Sequence, residues 1–106
     1  MPAKLNVPEG VDWPVQFRQQ FFGVTWGFTL RENQLLDDDR STIDISADGE
    51  KLLEGRILLI GNTIGASNAE MDAVFYALPE GSSIVQPTQD RIREGVVSIF
   101  GSQKNA

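Results

Sequence analysis

From Phe22 to Leu30 the chain alternates without a break. Phe22, Val24, Trp26, Phe28 and Leu30 are apolar, while Gly23, Thr25, Gly27 and Thr29 are small or polar. Side chains two residues apart share a face of an extended strand, so the segment predicts a strand with one heavily apolar face. Its nine residues, at ~3.3 Å each, reach about 30 Å, which is enough to cross a domain and places this strand centrally. The opposite face is nearly bare. Glycines in a strand mark a bulge, the close approach of another backbone, or a flat surface for a partner.

Other segments carry weaker patterns. Asp12-Trp13-Pro14 has the form of a helix start, and Trp13, Phe17 and Phe21 recur every four residues, predicting a short amphipathic helix over 13–21. An extended segment competes, because Val15 and Phe17 alternate with Gln16 and Arg18. Thr42 to Ser46 alternates again, and Ala47-Asp48-Gly49-Glu50 supplies turn residues, predicting a hairpin into 51–60. The returning strand has Gly55 in its middle and ends in Ile57-Leu58-Leu59-Ile60, an apolar run that predicts burial on both faces.

Ser67 and Glu70 match a capping box, and Met71, Val74, Phe75 and Leu78 follow at helical spacing, predicting a helix over 68–78 that covers the sheet. The competing reading is a strand whose alternate face carries Asp72, Val74, Tyr76 and Leu78. Pro79 to Ser83 reads as a turn, Ile84-Val85 as a short strand, Pro87 to Asp90 as a turn or helix start, and Gly95 to Phe100 as a last strand.

Together these elements predict an α+β fold: a bent or partly closed antiparallel β-sheet of four to six strands with one covering helix. An all-β sandwich or small barrel is the alternative. The 106 residues suit a single domain, with 1–10 and 101–106 read as flexible ends. No apolar run is long enough for a membrane span and no secretory signal is recognisable, so a cytoplasmic placement is expected.

Composition then narrows the chemistry. The chain has no histidine and no cysteine, which removes Ser-His and Cys-His nucleophiles, disulfides and His or Cys metal cages. Three lysines, Lys4, Lys51 and Lys104, leave little for lysine chemistry. The expectation is a protein that is not an enzyme and carries no cofactor. The net charge of −6 arises between Glu32 and Glu50, where Asp37, Asp38, Asp39, Asp44 and Asp48 join those two residues against Arg40 alone. Such a segment opposes nucleic-acid binding, which needs clustered cations, and would suit a basic protein surface or a cation. Asp37-Asp38-Asp39 also reads as a solvated turn.

Two motifs invite specific chemistry. Asp44, Ser46, Asp48 and Gly49 echo the start of a calcium loop, but the twelfth position is Gly55 and the closing glutamate is missing, with Glu54 one place early. Ile57 to Ser67 superficially resembles the phosphate loop of flavodoxin-like proteins, yet lacks the Walker lysine and the three-glycine dinucleotide spacing. A hairpin and a helix cap account for the same residues. Trp13, Trp26, Tyr76 and the six phenylalanines read as core, with a ligand-holding barrel interior as the alternative.

The function expected is non-catalytic: an interaction, assembly or regulatory subunit that binds a protein partner or itself through a sheet edge or an exposed strand face. An acidic inhibitor of a basic partner is the second reading. The candidate interaction residues are Asp37, Asp38 and Asp39 in the acidic run, and Gly23, Thr25, Gly27 and Thr29 on the bare strand face.

Overall fold

The computed structural model describes residues 2–8, 13–32, 41–58, 62–67, 72–79, 92 and 97–103. Apart from Ile92, which is helical, the elements formed by these residues are strands: β1 (Ala3–Lys4), β2 (Val15–Phe21), β3 (Val24–Glu32), β4 (Ser41–Ala47), β5 (Glu50–Ile57), β6 (Thr63–Ser67), β7 (Asp72–Pro79) and β8 (Val97–Gln103). They form two antiparallel sheets of four strands, ordered β2-β3-β4-β5 and β1-β8-β7-β6. No described helix is long and apolar enough to cross a membrane.

The α+β expectation is therefore corrected: the architecture is all-β, in two facing sheets, and no covering helix lies over either among the described residues. The segment expected as helix 13–21 is β2, paired with β3 from Val15 opposite Leu30 to Phe21 opposite Val24. A spacing of four is also a multiple of two, so Phe17 and Phe21 share a strand face as readily as a helix face.

The segment expected as helix 68–78 contains β7, with 68–71 outside the described residues. There Ala73, Phe75 and Ala77 are buried, and Leu78, core-facing in the helical reading, is 45% exposed. Ser67, expected as the helix cap, is the last residue of β6 and lies opposite Asp72. The Ile84-Val85 strand and the Pro87 turn fall outside the described residues. Gly101, Ser102 and Gln103, read from the sequence as the start of a tail, complete β8.

Two tight turns set the register of the first sheet. Phe22-Gly23 and Asp48-Gly49 each have both residues at positive φ (55° and 74°, then 49° and 85°), the geometry of two-residue type I′ hairpins. Aspartate and glycine tolerate that region, whereas a bulky aromatic at Phe22 does so under strain. The long alternating strand accordingly begins at Val24, with Phe22 in the turn before it. Asp48 extends the β3-β4 ladder past its end. Its N–H donates to the Thr25 carbonyl at 2.8 Å, and its Oδ1 accepts from the Thr25 N–H at 2.9 Å.

The core lies between the sheets. β3 contributes Trp26, Phe28 and Leu30, and β4 contributes Ile43, Ile45 and Ala47, all buried. Phe75 enters this layer from β7, with ring centroids 5.2 Å from Trp26, 5.6 Å from Phe28 and 6.3 Å from Phe21. All three pairs are edge-to-face, which brings positive ring edges to negative ring faces. Gly101 makes room for them, since a Cβ there would sit 2.7 Å from Phe75 Cε1 and 3.3 Å from Phe21 Cε2.

Candidate functional site

Among the described residues the two sheets have four edge strands, and unpaired backbone groups along an edge are a template for another chain. Three of these edges are altered in identifiable ways. On β2, the Gln19 side chain reaches the segment around β1: its Oε1 accepts from the Asn6 N–H at 2.8 Å and its Nε2 donates to the Lys4 carbonyl at 2.9 Å. One primary amide thus offers the donor and acceptor of a peptide group, tying β1 and β2 together.

On β5 the ladder to β4 slips twice, once between Ile43 and Ile45 and once between Ile45 and Ser46. Gly55 takes φ 69° there, and its N–H donates to Asp44 Oδ1 at 2.8 Å, while Asp44 Oδ2 lies 3.0 Å from Arg31 Nη2. A doubly bulged strand pairs poorly with a newcomer.

β6 differs. It runs Thr63-Ile64-Gly65-Ala66-Ser67 in unbroken register with β7, carries no charge and no proline, and among the described residues pairs on one side only. Thr63, Gly65 and Ser67 are exposed. Beside it a groove of about 760 Å³ is lined by Gly55, Arg56 and Ile57 of β5 and by Asn62, Thr63, Ile64 and Gly65. The sequence reading placed these residues in a phosphate-loop-like segment rather than a strand, because small residues give little periodic signal. A short neutral run between Gly61 and Ser67 was the available clue.

The outer face of the first sheet is a second candidate. Cross-strand register sets side chains in rows: Arg18, Gly27, Ser46 and Lys51 lie directly opposite one another across β2, β3, β4 and β5. Gln16, Thr29 and Asp44 form the adjacent row. All seven residues line one concavity of about 360 Å³. Gly27 is its floor, and a Cβ there would meet Ser46 Oγ at 2.5 Å.

The sequence-predicted residues divide accordingly. Thr25, Gly27 and Thr29 share the outer face of β3, and Gly27 and Thr29 line the concavity. Gly23 belongs to the β2-β3 turn instead. Asp37, Asp38 and Asp39 lie outside the described residues. Arg18, Ser46 and Lys51 were not anticipated, although the Phe22-Gly23 and Asp48-Gly49 turns alone pair position 18 with 27 and 46 with 51.

In the calcium-like motif, Asp44 and Asp48 already accept hydrogen bonds from the N–H groups of Gly55 and Thr25. Among the described residues no group of three His, Cys, Asp or Glu side chains is arranged to hold a metal. In the phosphate-loop-like segment, Thr63–Ser67 is strand β6.

On the outer face of the second sheet, Tyr76 stacks on Phe100 at 5.8 Å, and the Tyr76 hydroxyl lies 3.1 Å from Ser102 Oγ. Comparison of the chain with protein-family models and with curated proteins gives no match.

Proposed function

We propose that this protein is a non-catalytic assembly module that self-associates by strand addition, β6 of one copy pairing antiparallel with β6 of a second. The observation that supports the reading is the contrast among edges: β6 keeps regular register and an uncharged strand, while β2 is tied to the β1 segment and β5 is bulged. Pairing across a two-fold axis at Gly65 sets Thr63 opposite Ser67 of the other copy and joins two sheets into one. No like charges meet along this line, and an absent Gly65 side chain leaves the crossing point open.

The experiment is sedimentation equilibrium on charge variants at exposed positions, chosen so that the fold is undisturbed. Wild-type protein should show a concentration-dependent dimer. Thr63→Lys with Ser67→Lys should abolish it by placing like charges opposite one another, and Thr63→Lys with Ser67→Glu should restore it. A wild-type monomer at every concentration, or a dimer indifferent to both double variants, would overturn the proposal.

A further inference from the structure

The row across the first sheet has chemistry that strand addition at β6 does not use. Arg18 and Lys51 stand at its two ends, with Gly27 and Ser46 between them. Among the described residues Arg18 has no ion-pair partner, whereas Arg31 is held by Asp44 at 3.0 Å and Lys51 approaches Glu54 at 3.3 Å. The Lys51–Glu54 pair is largely exposed, 67% and 59%, so it holds Lys51 weakly and leaves it free to be recruited.

Ser46 Oγ donates to the Gly27 carbonyl at 3.5 Å, a bond long enough that the hydroxyl gains by turning to a better acceptor. Across the concavity the three cations Arg18, Arg31 and Lys51 exceed the two carboxylates Asp44 and Glu54 by one charge. A surplus of one matches a monoanion. A dianionic phosphate would be left partly uncompensated beside two carboxylates.

From this we infer that the Arg18–Gly27–Ser46–Lys51 row is a binding site for the carboxylate of a single aspartate or glutamate side chain carried on an extended, otherwise neutral segment of a partner protein. Arg18 supplies the planar fork suited to a carboxylate, Ser46 a hydroxyl donor and Lys51 a second cation. Gly27 lets the incoming chain lie close to the sheet, since no side chain rises from the floor. The site is on the sheet opposite β6 and stands whether or not β6 pairs.

The test is titration of the protein, labelled with nitrogen-15, with a blocked synthetic serine-rich peptide that carries one glutamate at its centre. The matching glutamine peptide and inorganic phosphate serve as comparison probes. The glutamate peptide should move the amide signals of Gly27 and Ser46, and added salt should weaken it. Arg18→Gln and Lys51→Gln should each reduce affinity about fivefold, and Lys4→Gln, on the other sheet, should leave it unchanged.

Gly27→Ala should weaken binding while the spectrum stays that of the folded protein. Unmoved Gly27 and Ser46 signals at saturating peptide would overturn the assignment. So would equal binding of the glutamine peptide, tighter binding of phosphate than of the glutamate peptide, or full affinity in Arg18→Gln.

Discussion

The inner faces of the two sheets are built on opposite principles. The first presents large side chains from neighbouring strands, Trp26, Phe28 and Leu30 beside Ile43 and Ile45. The second presents Ala66, Ala73, Ala77 and Gly101, with Phe75 as the large exception, and Val97 and Ile99 on β8. Large faces small across the interface, which lets the two layers interdigitate. Phe75 is the point at which the second sheet locks into the first. The difference teaches that a sheet can be positioned by one ring and by the space kept open around it.

Four substitutions break or sharpen this contrast. Phe75→Ala removes the locking ring and should cost about 3–5 kcal/mol in urea unfolding, more than truncating a partly buried apolar residue such as Leu53. An equal cost at both positions would deny Phe75 its special place. Gly101→Val overfills the space that Phe75 and Phe21 occupy and should cost about 1–3 kcal/mol, measured by thermal unfolding. In the first sheet the corresponding feature is polar. Asp44→Ala removes the acceptor of the Gly55 N–H and frees Arg31, for a loss of about 1 kcal/mol, of which Asp44→Asn should recover part. Gly27→Ala should cost least, under about 0.5 kcal/mol, because the atom in its way is a hydroxyl that rotates, unlike the rings at Gly101.

The same contrast explains what could be read from the chain. β3 and β4 are legible because bulky residues alternate with polar ones, and Asp48-Gly49 is turn chemistry in sequence and structure alike. β7 is not, because its inward residues Ala73 and Ala77 are too small to register against Phe75. Met71, Val74, Phe75 and Leu78 meanwhile satisfy helical spacing by coincidence. Val74, Phe75 and Tyr76 carry strand propensity, and pairing with both β6 and β8 decided the outcome. The bare face of β3 was readable to the level of Thr25, Gly27 and Thr29. Its charged neighbours were not, because a row across four strands depends on register between segments far apart in sequence.

The pairing of β1 with β8 sets an order on synthesis. Ala3 lies opposite Gly101, so β1 finds its neighbour only after β2 to β7 have been synthesised and β8 emerges. In the interval β2 to β5 can already have formed hairpins by local closure, leaving Trp26 and Phe28 uncovered until Phe75 arrives. Nascent chains stalled with β5 outside the ribosome and β7 still to emerge should therefore engage chaperones through that aromatic surface, and emergence of β7 and β8 should end the engagement.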